Sequence, residues 1–313
     1  MNKVWGVALF AGVAAISAGC ENAAPWSDEG VQALGDMRQQ QLESRLTKDD
    51  ESPKAKLADA KPVAKWIMPP ELREISGLVL TPDGRILTHG DEKAIISVID
   101  PRRGLSLKQF TVAGGVRGDF ESITMAGNEI YLMSSKSLLL RFQEGEDGAD
   151  VPYSSVDLGL GKECEFESMV YQADSNWLVM PCKNAWNRTY AHQLVIYRWK
   201  LSGPDSARLS MITIPLAQLI GSNKWKNLHP SDITIDPTSG NFVMIASHEK
   251  ALIEMTRAGD LVRSEPLPSG HNQPEGVAIT RDSIFMLSDE ANKTPAAITL
   301  YRWHPSQKPD SIQ

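Results

Sequence analysis

The sequence predicts an all-β fold: a five-bladed β-propeller closed in its last blade by a strand from the N-terminal side of the domain. A short motif recurs at Glu74-Ile75-Ser76-Gly77-Leu78, Asp119-Phe120-Glu121-Ser122-Ile123, Glu165-Phe166-Glu167-Ser168-Met169, His229-Pro230-Ser231-Asp232-Ile233 and Gln273-Pro274-Glu275-Gly276-Val277. The fourth residues of the copies lie 45, 46, 64 and 44 residues apart, the period of a four-stranded blade with one enlarged member. The last unit is one strand short, and a strand-like segment stands unclaimed before the first motif. A six-bladed alternative needs a blade hidden in the third unit's insertions.

The units follow in order. In the first, apolar runs at 78–81, 85–89, 95–99 and 107–112 read as strands, with Pro82-Asp83-Gly84 as a turn. The second has 123–125, 130–133, 138–142 and, after the polar loop 143–150, 154–158. The third has 169–171, 177–181, 193–199 and 208–214, its extra length lying in insertions at 183–192 and 215–228. The fourth has 233–236, 241–246, 252–256 and 261–267. The fifth has 277–280, 283–287 and 297–303 and then lacks its outer strand. Residues 61–68, Lys-Pro-Val-Ala-Lys-Trp-Ile-Met, occupy the place an outer strand takes before every other motif, so they are expected to close the fifth blade and remove its open edge.

Outside the propeller, placed at 62–305, the chain divides into residues 1–20, 21–61 and a tail at 306–313. Lys3, an apolar run of about thirteen residues and Ser17-Ala18-Gly19 before Cys20 read as an export signal, too short to span a bilayer as a mature helix. Small residues directly before a cysteine resemble a bacterial lipobox, which implies lipidation at Cys20 and a membrane-anchored protein of the cell envelope. In a host with two membranes, Glu21 after the cysteine implies the outer membrane. Residues 21–61 read as a tether, helical over about 28–45 or a solvated spacer. In an oxidising compartment the remaining pair, Cys164 and Cys182, predicts a disulfide, since the turn at 173–176 folds their strands together. A net charge of -7 and no basic stripe argue against a nucleic-acid partner.

In a propeller the starts of the innermost strands and the loops between second and third strands open on one face. The third motif position supplies Ser76, Glu121, Glu167, Ser231 and Glu275, and the first supplies Glu74, Asp119, Glu165, His229 and Gln273. Three carboxylates at one equivalent position around an axis repel unless a cation offsets them. Oxygen donors of this kind favour Ca2+, or Mg2+ less strongly, over zinc. Glu121, Glu167 and Glu275 are therefore the first candidates as metal ligands, with Asp119, Glu165 and Asp232 behind them. The other reading is that these acids accept backbone N–H groups or pair with Arg73, Arg117, Lys136 and Lys183. The loops between second and third strands repeat as well: Asp91-Glu92-Lys93-Ala94 matches His248-Glu249-Lys250-Ala251.

Acid-Phe-Glu-Ser opening the second and third units, Pro-Glu-Gly-Val opening the fifth and Ser247-His248-Glu249 with Leu252 and Glu254 in the fourth resemble the SdiA-regulated family of exported bacterial proteins. The likeness runs over about 62–303. It implies a five-bladed propeller distantly similar to NHL-repeat proteins, with calcium in the channel region and Glu121, Glu167 and Glu275 first among its ligands.

Two functions fit. One is a calcium-binding propeller on the cell envelope that presents the face holding its motifs to a protein or glycan partner, with Trp186 and Trp225 in the insertions as candidate contacts. The chain has no Gly-x-Ser-x-Gly elbow, phosphate loop or EF-hand loop. The alternative is a metal-dependent lactonase or phosphoesterase, in which His229 or His248 at the rim would serve as the base.

Overall fold

The computed structural model describes residues 28–48, 56–204 and 207–306. The leader, the lipobox with Cys20, and the tail beyond Ser306 lie outside the described residues. The described strands form five sheets, each opening with an inner strand. Contacts between the inner strands of successive blades run round the ring and close it between the first and fifth.

Blade one contains Leu78–Leu80, Ile86–His89, Ile95–Asp100 and Leu105–Val112. Blade two contains Phe120–Ala126, Glu129–Ser134, Leu138–Gln143 and Ser154–Asp157. The polar segment 143–150 leads into a short strand, Asp150–Val151, that runs parallel to Thr111–Val112 and gives blade one a fifth strand. The expected loop thus stitches the first two blades together.

In blade three the inner strand is split into Cys164–Phe166 and Val170–Gln172, both against Trp177–Ala185, and Gln193–Lys200 and Leu209–Pro215 complete the sheet. The two insertions hold a 3-10 turn at Arg188–Tyr190 and a short helix at Leu216–Ile220, so no sixth blade is hidden in them. Cys164 and Cys182 form a disulfide with a Cα–Cα distance of 5.7 Å. Phe166 is the residue facing Cys182 in register, because a bulge follows Glu165.

Blade four contains Asp232–Ile235, Phe242–Ala246, Ala251–Met255 and Leu261–Pro266. Blade five has Pro274–Ile279, Ile284–Asp289 and Ala297–Arg302, and its outer strand is Ala64–Ile67 from the other end of the domain. Antiparallel pairing of Ala64 with Leu300 through Ile67 with Ala297 closes the ring. Trp66 anchors this closure: its Nε1 donates to Pro101 O at 2.8 Å, and its ring lies against Gly104. Gly104 has a φ of 62°, and a Cβ there would meet Trp66 Cγ at 2.5 Å, so backbone conformation and space both demand glycine.

Asp28–Leu46 of the segment read as a tether form a helix laid against the propeller. Leu42 is buried in the cluster that holds Trp66 and Ile298, Arg38 Nη1 donates to Gly104 O at 2.9 Å, and Arg302 donates to the carbonyls of Arg45, Leu46 and Lys48. No helix among the described residues is long and apolar enough to cross a membrane. Of the tryptophans, Trp303 stacks on Phe285 at 5.2 Å within the core, and Trp225 packs partly against the blade-four cluster. Trp186 stands 54% exposed in the first blade-three insertion, directly after strand Trp177–Ala185.

Candidate metal centre

The first and third motif positions have different fates. In blades two to five the first-position side chain is held inside its own blade by the end of the second strand or the loop that follows it. Ser135 Oγ donates to Asp119, Asn184 Nδ2 donates to Glu165 Oε2 at 2.8 Å, His229 Nδ1 meets Glu249 Oε1 at 2.7 Å, and Gln273 Nε2 donates to Glu290. Two residues further on, the third-position side chains have no such loop partner in blades two and five. They turn to the centre of the ring.

Glu121, Glu167 and Glu275 line one cavity of about 230 Å³ together with Glu74, Asp91, Glu290 and Lys183. The lining comes from blades one, two, three and five, while blade four reaches it through Ser247 Oγ, 3.4 Å from Glu275 Oε1. Six carboxyl groups thus share the space with one ammonium. Lys183 donates to Glu167 and stands 3.8 Å from Glu165 Oε1; these carboxylates and Glu121 hold its ammonium above the usual lysine range, although burial opposes them. Of the cations considered as neutralisers in the sequence, Lys183 takes that role, whereas Arg117 pairs with exposed Glu92 at 3.6 Å.

One lysine is not enough. Burial first, then repulsion from Glu167, Asp119 and Glu275, pushes Glu121 up to about 9 despite Lys183. Burial and the charges of Glu167 and Glu290 push Glu275 up to about 7, and burial raises Glu167 against its bond from Lys183. Around neutral pH the cavity therefore retains protons that an added cation would displace. Its donor set fits a hard divalent ion: carboxylate oxygens from four blades, with no thiolate or imidazole among the lining residues.

Asp119 and Glu165 sit beside this cavity, held by Ser135 and Asn184. Asp232 does not join them. It is buried at the axis, where Oδ2 accepts Val277 N at 2.8 Å and Leu78 N at 3.5 Å and Oδ1 accepts Ile233 N at 2.8 Å. Burial drives its carboxyl well upward, and the three amides oppose that. At the same motif position blade five has no room for a side chain: a Cβ on Gly276 would meet Ser288 Oγ at 2.4 Å and Leu78 Cγ at 2.7 Å. The Asp232 carboxylate is thus occupied in tying blade four to blades five and one.

His229 and His248 both turn to Glu249, with Nδ1 to Oε1 distances of 2.7 and 2.9 Å, and neither lines the carboxylate cavity. Glu74, Asp91 and Glu290 line the cavity without having been singled out as ligands. Their signal lay in the same repeats, as a first motif position and as the acidic loop pairs Asp91-Glu92 and Asp289-Glu290.

Residues 222–311 match the SdiA-regulated family model. The matched residues carry the fourth and fifth motifs, including His229, His248, Glu249 and Glu275. No curated protein matches the chain in sequence. Among solved structures, the PQQ-bound aldose sugar dehydrogenase of Streptomyces coelicolor is similar at 13% identity and a TM-score of 0.56, over 78% of this chain and 98% of that one. Myxococcus xanthus glutaminyl cyclase is similar at 11% identity and a TM-score of 0.52, over 77% of this chain and 95% of that one. A luciferin-regenerating enzyme is similar at 10% identity and a TM-score of 0.52, over 81% and 99%. At these identities the likeness extends to the propeller fold alone.

Proposed function

We propose that this chain is a calcium-binding propeller of the SdiA-regulated type, anchored in the cell envelope through Cys20, whose metal-bearing face engages a protein or glycan partner. The observation that carries the metal is the convergence of Glu121, Glu167 and Glu275 from three blades on one cavity where a single lysine faces six carboxyl groups. Bound there, calcium would supply charge compensation and cross-link the blades. Glu121, Glu167 and Glu275 would hold it, and Lys183 would exchange Glu167 for Glu165, already 3.8 Å away. Exposed Trp186 projects from the loop that follows Lys183, so a partner touching this tryptophan would meet the metal-dependent face. The outer membrane follows as the location if the host has two membranes.

Calcium titration by calorimetry tests the reading. One ion per chain is expected, lost in Glu121→Gln and in Glu275→Gln. Full calcium affinity in both variants would refute it. The same preparations, screened against lactones and phosphoesters with and without chelator, are expected to show no turnover; calcium-dependent turnover lost in Glu121→Gln would establish a hydrolase instead.

A further inference from the structure

We infer that blade four carries a second metal site, formed by His229, His248 and Glu249, that takes a borderline divalent cation of the zinc class. It does not rest on the calcium reading, because none of the three residues lines the carboxylate cavity. One donor atom from each of the three lies within 4.8 Å of the others. Glu249 Oε1 is 2.7 Å from His229 Nδ1 and 2.9 Å from His248 Nδ1, so two imidazole nitrogens converge on one carboxylate oxygen. Two imidazoles and a carboxylate, with room for water, are a donor set of catalytic or open zinc sites.

The supports around these donors are those of a metal site. The other oxygen, Oε2, accepts His229 N at 3.0 Å, which leaves Oε1 facing the two imidazoles. Asn227 Nδ2 lies 3.1 Å from His229 Nε2, the nitrogen away from the cluster. A metal on Nδ1 places the ring proton on Nε2, and Asn227 can accept it by turning its amide over, the outer-shell arrangement that fixes ligand histidines.

The chain builds this cluster from separated segments. His229 stands where the other motifs have Glu74, Asp119, Glu165 and Gln273, and the loop pair His248-Glu249 is brought back to it by the antiparallel pairing of Asp232–Ile235 with Phe242–Ala246. Lys250, at φ 52°, turns the chain sharply after Glu249. The side chain of Glu249 is 6% exposed and that of His248 is 80% exposed, so one ligand is fixed and the other can swing. A tetrahedral ion with bonds of about 2.0–2.1 Å sets its ligand atoms about 3.3 Å apart. The two separations from Glu249 Oε1 need to widen by only about half an ångström, and exposed His248 can accommodate that.

Calorimetric titration of zinc chloride into chelator-treated, tag-free full-length protein tests the site. One zinc per chain is expected. Affinity should fall at least tenfold in His248→Ala and in Glu249→Gln, about tenfold in Asn227→Ala, and stay unchanged in Glu121→Gln. Because His248 is exposed, its substitution leaves the fold intact, which circular dichroism checks. Wild-type zinc affinity in His248→Ala, no zinc uptake by the wild type, or zinc binding lost in Glu121→Gln but kept in His248→Ala would each overturn the inference.

Discussion

Replacing Glu121 by Gln should stabilise the protein without metal and destabilise it with metal. Below pH 4.5 the Glu121 carboxyl is protonated whether the chain is folded or unfolded, so it contributes no pH dependence there. As pH rises, the unfolded chain releases its proton first, while the folded cavity keeps it up to about 9. Folded stability therefore declines through this window. By pH 7.5 the decline is at most ~4 kcal/mol at ~1.4 kcal/mol per pH unit, and water entering the cavity reduces it to about 2 kcal/mol. Glutamine keeps the shape and removes the ionisation, so Glu121→Gln should melt roughly 4–8 °C higher than wild type at pH 7.5 in chelator. The advantage should vanish at pH 5. Calcium at a hundredfold excess over its dissociation constant should raise the wild type by about 2.7 kcal/mol and leave the variant nearly unmoved. Scanning calorimetry at the two pH values, with and without calcium, reads all four states. A variant less stable than wild type in chelator at both pH values would refute the reasoning, because Glu121 would then be serving the fold rather than straining it.

Three further outcomes follow. Asp232→Asn sets its amide NH2 against the N–H of either Val277 or Ile233, which bind opposite oxygens of the carboxylate, and should cost about 2–4 kcal/mol in denaturant unfolding; an equal loss with and without calcium is expected, and a loss confined to the calcium-loaded protein would make Asp232 a ligand after all. Cys164→Ser opens a disulfide spanning 18 residues, for about 3 kcal/mol, and reductant should bring the wild type to the same melting temperature; two unequal temperatures would contradict this. Trp66→Ala removes the buried anchor of the closing strand and should cost about 3–5 kcal/mol, whereas Trp66→Phe should lose far less; a cost below about 1 kcal/mol for alanine would mean that closure does not depend on it.

The blades were legible in the sequence because each motif marks the start of an inner strand and the turns between strands carry Gly, Pro, Asp and Asn. The closing strand was legible by subtraction, since the fifth unit lacked one and Ala64–Ile67 had no other partner. Asp150–Val151 was not, because a two-residue pairing inside a polar stretch leaves no alternation to detect. The break in the blade-three inner strand was equally hidden: residues 167–169 leave the ladder at the point where Glu167 meets Lys183, and strand propensity does not record that.

The convergence of Glu121, Glu167 and Glu275 followed from radial equivalence alone. The fate of Asp232 did not, since it stands at the fourth motif position, one residue past theirs, and only the amides of the neighbouring blades turn its carboxylate into a structural tie. His229 stands about twenty residues before the pair His248-Glu249, a spacing without meaning until a hairpin brings them together.

An anomalous difference map from crystals grown with calcium tests the central claim most directly. The account predicts one peak in the axial cavity, coordinated by the carboxylates of Glu121, Glu167 and Glu275, with Lys183 withdrawn from Glu167. A cavity without a peak, in which Lys183 still holds Glu167, would contradict it.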